Sequence, residues 1–197
     1  MKFYHDDCDI PSEYSTEEYV FRPLTTKDVE LDYEAVMESK VSLRTISAST
    51  WPSDDFTLKE NYDDLERHER DHLARKEFTF TIMNQDETIC LGCIYFRPLR
   101  FQLATADFQT SVRFWVRSSR IQDNLDSRVL ESIIHWLKSE WKFDKIIFET
   151  GVNEERQPNL FRKIGMHPIF LNSSKVLNFQ YFELPNKVNS IDSSYQS

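Results

Sequence analysis

The order in which strand-type and helix-type hydrophobic periodicity succeed one another most constrains the fold of this chain. Read in sequence, strand patterns occupy 19–24, 78–83, 89–96, 112–117, 145–149, 167–171 and 175–184, and helical patterns occupy 29–40, 58–73, 125–141 and 158–164. The predicted order is therefore β-α-α-β-β-β-α-β-α-β-β.

This order predicts an α/β (α+β) domain built on one mixed β-sheet. The strand patterns at 78–83 and 89–96 are separated by the short turn 84–87, which favours antiparallel pairing. The two later β-α connections favour parallel pairing, and a mixed sheet with helices on both faces accommodates both. Ligands in such sheets bind where neighbouring strands diverge at their carboxyl ends, which indicates a site near 117 and 149.

Length, charge and cysteine content restrict the class of protein. A chain of 197 residues is long enough for one well-buried domain, and its net charge of −9 argues against a nucleic-acid partner. No apolar run approaches the length of about 20 residues that spans a bilayer, and three cysteines do not make a disulfide framework. We expect a cytoplasmic protein that binds neither membranes nor nucleic acids; its oligomeric state is left open.

Composition shifts divide the chain into three parts. Residues 1–18 are acidic and poor in core-forming side chains, which predicts a loosely attached N-terminal arm. Residues 19–184 form the predicted domain, and residues 185–197 form a polar C-terminal tail.

Three segments, taken in their order, resemble the GNAT superfamily of acyl-CoA-dependent N-acyltransferases. TICLGCIYFRPL is similar to the family's strand with a glycine before the substrate cleft, and SVRFWVRSSRIQDNLDSRVLESIIHWL to its strand, pyrophosphate loop and helix. TGVNEERQPNLFRKIGMHPI is similar to the strand end, asparagine, helix and closing glycine of the family's C-terminal half. The likeness covers roughly residues 19–184.

The resemblance implies a GNAT-like fold and an N-acetyltransferase whose co-substrate is acetyl-CoA. In the family, an amine acceptor, here a small molecule or a peptide, attacks the thioester directly, often with a carboxylate or water relay as base and a tyrosine as acid. The resemblance further implies that the cofactor contacts Trp115, Val116, Arg117, Arg120, Gln122, Asn124 and Asn153. Within this set, the backbone of 115–117 pairs with the pantetheine arm and Asn153 lies near the thioester.

The cofactor loop departs from the family pattern. The family's Arg or Gln is replaced by Ile121, and its two glycines by Asn124 and Asp126. Asparagine adopts left-handed backbone readily, whereas the carboxylate of Asp126, together with that of Asp123, opposes an anion at a helix start. The alternative is that these acids only stabilise the helix start. If the loop no longer binds CoA, the domain is a catalytically lapsed binding or regulatory module.

Arginines near the loop can compensate for the two acids. Arg117, Arg120 and Arg128 are the candidates, because guanidinium groups bind phosphate through paired hydrogen bonds. The position of the tyrosine that acts as general acid in the family is here occupied by Phe161, which cannot donate a proton. Tyr95 is a candidate substitute on the strand facing the cleft; the alternative is a core or rim tyrosine.

Two motifs suggest metal or redox chemistry. Cys90 and Cys93 have C-x-x-C spacing, but residues three apart on a strand point to opposite faces, which favours buried structural thiols. His68 and His72 match His-Glu-x-x-His, the zinc-protease pattern, on a helix whose charge density favours a solvated face. No metal site is predicted.

Two further groups of charged residues are candidates for the acceptor site. Asp54, Asp55 and Glu60 follow a Trp-Pro loop that covers the acceptor in GNAT-like proteins, and they can bind an amine or belong to a solvated loop. Arg113 and Arg117 share one strand face with Trp115 and can bind phosphate, an acidic substrate group or surface carboxylates.

Overall fold

A computed structural model describes residues 3–99, 109–170 and 178–185. Its elements, in chain order, are β1 Tyr14–Ser15, β2 Tyr19–Pro23, α1 Val29–Glu38, α2 Lys40–Ser47, α3 Leu58–Leu73, β3 Phe78–Asn84, β4 Cys90–Pro98, β5 Gln109–Val116, α4 Leu125–Ser139, β6 Lys145–Gly151, α5 Arg156–Lys163, β7 His167–Ile169 and β8 Phe179–Glu183. None of the described helices is both long enough and apolar enough to cross a bilayer.

All of the described strands join one mixed sheet, in the order β1-β2-β3-β4-β5-β6-β8-β7. Neighbours pair antiparallel except β5 and β6, which are parallel and are connected through α4. The β3–β4 connection is a tight turn in which the amide of Glu87 donates to the carbonyl of Asn84, with Glu87 in the left-handed region. The predicted mixed sheet is therefore confirmed.

The two faces of the sheet carry separate hydrophobic cores. On one face, α4 and α5 pack through an aromatic cluster that includes Trp136, Trp141, Phe80 and Phe96, each at most 4% exposed. On the other face, α1, α2 and α3 cover a second cluster that includes Trp115 and Ile46. Each aromatic side chain buries a large apolar area, and this explains how a single sheet supports a layer of helices on each face.

The N-terminal segment is docked on the domain, so the prediction of a loosely attached arm is wrong for the residues that the structure describes. Tyr4 is 1% exposed, and its ring packs edge-on against Phe78 and Trp141. Its hydroxyl oxygen accepts a hydrogen bond from the amide of Lys142 at 3.0 Å. The acidic composition of this segment obscured a single aromatic anchor.

The helix α2 was not predicted. Its buried residues are Leu43 and Ile46, while Val41 is 72% exposed, so only one narrow apolar stripe distinguishes it from a loop. The helix ends at Ala48, which adopts the left-handed region. The remaining predicted elements are observed with shifts of a few residues at their ends, except that 171 and 175–177 lie outside the described residues.

A β-bulge in β4 corrects the prediction that Cys90 and Cys93 point to opposite faces. Ile82 pairs with Gly92 but Met83 pairs with Cys90, so Leu91 is an extra residue in the strand. Both sulfurs consequently face the α1 side, within 4.8 Å of each other and of a carboxylate oxygen of Asp32.

The Cys93 thiol of this cluster is held protonated. Burial raises the pKa of the Cys93 thiol well above its ordinary value, and that thiol donates to Asp32 at 3.4 Å. Since metals bind the thiolate, the protonated Cys93 is a poor metal ligand, and both cysteines are buried in the core.

Candidate functional site

The parallel strands β5 and β6 separate halfway along their length. They are paired from Gln109 opposite Lys145 to Val112 opposite Phe148, and no farther among the described residues. Beyond that point, β5 continues to pair with β4 and β6 with β8. A wedge-shaped gap, hereafter the splay, thus opens in the middle of the sheet at the carboxyl ends of both strands, where the sequence predicted a ligand site.

The first turn of α4 lies beside the splay and presents backbone donors. Asn124 precedes the helix with φ 55° and ψ 32°, a left-handed backbone that asparagine tolerates. The structure gives the amides of Gln122, Leu125 and Asp126 no acceptor among the described residues. Unpaired amides at a helix start bind anions, so this loop fits a diphosphate group.

Asp126 is buried and forms an ion pair with Arg156, while its Oδ1 also accepts a hydrogen bond from the amide of Ser127 at 3.0 Å. It is 4% exposed, and Nη2 of Arg156, at the start of α5, lies 2.9 Å from its Oδ1. The same Nη2 also donates to the carbonyl of Ile121 at 3.2 Å. Asp126 is therefore charge-neutralised, which removes most of the repulsion that its carboxylate would exert on a phosphate. Asp123 is neutralised as well, by Arg120 at 2.9 Å.

A side chain from α5 also crosses the splay. Nε2 of Gln157 donates to the carbonyl of Phe114 at 2.9 Å, and Gln157 is 5% exposed. This carbonyl belongs to the half of β5 that no longer pairs with β6. A ligand that hydrogen-bonds to this edge of β5 must displace the amide of Gln157.

The backbone N–H and C=O groups of 115–117, which were predicted to contact the cofactor, do not all point towards the splay. A Cβ added to Gly92 would lie 2.0 Å from the carbonyl oxygen of Trp115, so that carbonyl faces β4. The amide of Arg117 also donates towards β4, to Leu91 at 2.7 Å. Because backbone groups alternate along a strand, Val116 is the member of this set whose peptide groups face the splay.

On the opposite face of the sheet the splay is bridged by a buried ion pair. Nη2 of Arg113 in β5 lies 2.7 Å from Oε1 of Glu149 in β6. Their side chains are 9% and 2% exposed. The pair joins the two strands just beyond their last hydrogen-bonded residues, on the side covered by α2 and α3.

A cavity of about 310 Å³ opens beside this ion pair, between the sheet and the helices α2 and α3. Its walls mix aromatic and cationic side chains. The lining residues are Leu43, Ile46, Ser47, Ser49, Trp51, Asp64, Arg67, His68, Tyr95, Arg97, Arg113 and Trp115. Since Arg113 and Trp115 belong to the diverging half of β5, the cavity reaches the splay from the face opposite α4.

His68 forms part of a polar network at the cavity wall. Its Nδ1 lies 2.7 Å from Oε1 of Glu77, and its Nε2 lies 3.1 Å from Nη2 of Arg67. Burial lowers the pKa of His68, so the imidazole is neutral at pH 7, with Nδ1–H donating to Glu77 and Nε2 accepting from Arg67. Although burial opposes ionisation, the bond from His68 and the charges of Arg97 and Arg67 lower the pKa of Glu77 to about 2.

Tyr95 lies in the wall of the cavity, with its hydroxyl oxygen accepting from Nε1 of Trp115 at 3.2 Å. Burial raises the pKa of Tyr95 well above its ordinary value, so the phenol is protonated at neutral pH. It retains a proton that can be donated to a ligand. A role in catalysis remains a prediction.

The other arginines predicted near the cofactor are engaged with carboxylates. The Arg117 side chain is bound to Glu34 and Glu38 of α1, away from α4. Arg128 is paired with Glu18 at 2.8 Å. Arg128 also donates from Nη1 to the carbonyl of Asp123, so Arg120 and Arg128 both contact the loop, and the structure adds Arg156 to them.

Phe161 and Asn153 occupy very different environments. Phe161 is fully buried between Phe148 and Phe182, so it is a core residue of α5. Asn153 is exposed in the turn after β6. Its proximity to a thioester remains a prediction.

The acidic residues after the Trp-Pro loop do not line the cavity among the described residues. Asp54 lies 2.9 Å from Nη2 of Arg44, and Asp55 is exposed. Glu60 accepts from the backbone and the hydroxyl of Thr57 and closes the capping box of α3. These three residues stabilise the loop and the helix start.

The two histidines of the His-Glu-x-x-His pattern are buried, so the prediction of a solvated helix face is wrong at these positions. His68 is 6% and His72 8% exposed. Nδ1 of His68 binds Glu77, whereas Nδ1 of His72 lies 3.3 Å from the amide of Thr79. The hypothesis of a shared zinc finds no support in this geometry.

Sequence reasoning missed Arg156 and Gln157, which bridge the splay from α5. One signal was available for Arg156: a cation in the first turn of a helix is disfavoured by the helix dipole, so a carboxylate partner is expected. Arg67 and Arg97 were missed because their shared cavity depends on how α3 packs against β4.

Comparison with known proteins places the fold. No protein-family model matches the sequence, and no curated protein matches it significantly. Solved structures do match.

Three of these structures are typical. The ribosomal-protein-S5-alanine acetyltransferase from Vibrio fischeri is similar with a TM-score of 0.65 and 14% identity, covering 89% of this chain and 95% of that one. The ribosomal L7/L12 α-N-protein acetyltransferase RimL, in complex with coenzyme A, has a TM-score of 0.68, 12% identity, and coverage of 85% and 93%. The microcin C7 self-immunity acetyltransferase MccE, in complex with acetyl-CoA and AMP, has a TM-score of 0.66, 13% identity, and coverage of 85% and 92%. The chain therefore has the GNAT acetyltransferase fold.

Proposed function

We propose that this protein is an acetyl-CoA-dependent N-acetyltransferase. One observation carries the proposal: β5 and β6 diverge between a helix start with unpaired amides on one side and a cavity on the other. Such a gap gives a co-substrate and an acceptor access to the same point from opposite faces. The structures in complex with coenzyme A and with acetyl-CoA support this assignment, since they share the fold.

The cofactor is proposed to bind on the α4 side. The amides at the start of α4 would hold its diphosphate, assisted by Arg156, whose side chain is 42% exposed and is already placed over the loop. Val116 would pair with the pantetheine arm once the amide of Gln157 leaves the carbonyl of Phe114. The residues inferred from the family resemblance, from Trp115 to Asn153, remain proposals for this side.

The acceptor is proposed to bind in the cavity on the α3 side. Acetyl-CoA supplies an activated acetyl thioester, and the neutral amine of the acceptor forms the new bond as the CoA thiolate leaves. Tyr95 is a proton donor in the cavity wall and can protonate that thiolate. His68 is neutral at pH 7 and its Nε2 carries a lone pair, so it can take the proton that the amine loses, through an intervening water, once the guanidinium of Arg67 turns away from the imidazole.

A second function is supported by a specific observation. Asp126 with Arg156, Gln157 with Phe114, and Arg113 with Glu149 tie the two sides of the splay together. If these contacts do not yield to the cofactor, the domain is a GNAT-like binding module without transfer activity.

Calorimetric titration of acetyl-CoA into the protein separates the two functions. Micromolar binding, followed by acetyl transfer to an amine seen by mass spectrometry, supports the enzyme. Absence of binding to the wild type and to the Asp126→Asn variant contradicts it and supports the binding module. Free acetate without acetylated amine would show that the cofactor binds but the acceptor class is wrong.

A further inference from the structure

Arginine side chains dominate the charge on the cavity wall. Three arginines line the cavity among the described residues: Arg67, Arg97 and Arg113. The side chains of Arg67 and Arg97 are 41% and 25% exposed, whereas their shared carboxylate partner, Glu77, is only 15% exposed. Arg113 is likewise more exposed than its partner Glu149. The carboxylates lie behind the guanidinium groups, so the surface offered to a ligand is cationic although the charges nearly balance.

The geometry of Arg97 is fixed before any ligand binds. Its guanidinium carbon lies 4.6 Å from the centre of the Tyr95 ring, and its Nε lies 3.2 Å from Glu77. Stacking on one side and an ion pair at one edge hold a planar fork in place. A guanidinium held in this way pairs with a carboxylate at low entropic cost.

The other charged groups of the cavity do not reverse this preference. His68 is neutral at pH 7. Asp64 is 35% exposed and lies 3.3 Å from Arg67, so its charge is partly compensated. The remaining walls include Trp51, Leu43 and Ile46, which favour the apolar part of a ligand.

We propose that the cavity binds an amine that also carries a carboxylate, with the guanidinium groups of Arg67 and Arg97 holding the carboxylate. The amine then extends along the cavity towards Arg113 and the splay. Since 310 Å³ is at the small end of ligand sites, the ligand is the size of an amino acid or a dipeptide end. Acetylation of this ligand rests on the proposed function, whereas its binding does not.

Four dipeptides that differ only in carboxylate count test the proposal without acetyl-CoA. They are glutamyl-alanine, glutaminyl-alanine and the C-terminal amides of both, and all keep a free amine. Calorimetry is expected to give at least about tenfold tighter binding for glutamyl-alanine than for glutaminyl-alanine amide, which is one charge-assisted hydrogen bond or more. Equal affinities, or a preference for glutaminyl-alanine amide, which lacks a carboxylate, would overturn the proposal. Free L-glutamate distinguishes an amino acid from a peptide end as the natural ligand.

Two variants of opposite charge change make the test independent of folding defects in either one. Arg97→Gln should weaken glutamyl-alanine binding about tenfold or more, and Asp64→Asn should strengthen it, because each changes the wall charge in the opposite direction. The reverse pair of shifts would identify a site for cationic ligands and contradict the proposal.

The result is separable from the proposed function. Carboxylate-dependent binding without any acetyl-CoA binding would support this inference and contradict the enzyme. Acetyl transfer that prefers amines lacking a carboxylate would contradict this inference and support the enzyme.

Discussion

Asp126 and Arg156 join the first turns of α4 and α5 across the carboxyl end of the splay, with Nη2 and Oδ1 2.9 Å apart. The carboxylate of Asp126 would by itself repel a phosphate. In this pair it instead positions the guanidinium of Arg156, which would attract a phosphate. One contact therefore contains both the negative charge that opposes CoA binding and the positive charge that offsets it. The affinity for CoA should therefore depend on the charge of residue 126.

Asp126→Asn should tighten the binding of coenzyme A. The substitution removes a negative charge from the start of α4 and releases Arg156 towards the diphosphate, an effect of about 1 kcal/mol, or roughly fivefold or more in Kd. Calorimetric titration measures it. Asp123→Asn is the matched control, because Asp123 is 57% exposed and salt-screened, so its change should be smaller.

Weaker binding by Asp126→Asn than by the wild type would contradict this picture. It would mean that the hold on Arg156 organises the loop for the cofactor.

Gln157→Ala should increase affinity for ligands that reach the splay. The variant loses the amide that occupies the carbonyl of Phe114, so a pantetheine arm no longer has to displace it. Comparison of two probes checks the position: coenzyme A should gain about threefold to tenfold, roughly one hydrogen bond, and 3′,5′-ADP should gain nothing because it lacks the arm. An equal gain for both probes would assign the effect to the loop of α4.

The ion pair between Arg113 and Glu149 should be costly to break from one side. Arg113→Met leaves the carboxylate of Glu149 buried at 2% exposure, and a loss of about 3–5 kcal/mol in the free energy of unfolding is expected. The double variant Arg113→Met with Glu149→Leu should recover most of that loss, because it removes both charges. Urea denaturation followed by circular dichroism measures both. A double variant as unstable as the single one would show that the guanidinium has a further structural role.

Asp32→Asn should change the pH dependence of stability. Burial raises the pKa of Asp32 from 3.8 to about 6; its hydrogen-bond donors are the neutral amide of Asn61 and the thiol of Cys93. Folded protein then binds more protons than unfolded protein between those values, so the free energy of unfolding decreases as the pH rises through them. Relative to the variant, the free energy of unfolding of the wild type should decrease by about 3 kcal/mol between about pH 4 and pH 7. Above about pH 7 it should decrease no further.

The difference between the two proteins isolates this carboxyl. Both keep His68 and His72, whose pKa values are lowered by burial and whose contribution has the opposite sign. A stability difference that does not vary with pH would contradict the expected titration.

Local rules accounted for most of the fold. The strands β3, β4 and β5 were predicted from runs of β-branched and aromatic residues, although almost every residue in them is buried, and the left-handed backbone of Asn124 is one that asparagine tolerates. The helix α2 was missed because two buried residues, Leu43 and Ile46, are too weak a signal.

The site was less accessible to sequence reasoning. The splay followed from topology, but its bridges did not, since Arg156 and Asp126 are separated by 30 residues and meet only after α4 and α5 pack. The orientation of Cys90 depended on one extra residue, Leu91, which shifts every side chain before it to the other face. Such contacts belong to the assembled sheet and leave no local pattern.

Gly151 ends β6 in direct contact with α2: a Cβ there would lie 1.9 Å from the carbonyl oxygen of Thr45. The helix that rests on this glycine also supplies Leu43, Ile46 and Ser47 to the cavity. Any ligand that widens the splay by moving the end of β6 therefore moves a wall of the acceptor cavity with it. Under the proposed function, the affinities for acetyl-CoA and for the acceptor would therefore be coupled, each depending on whether the other substrate is bound.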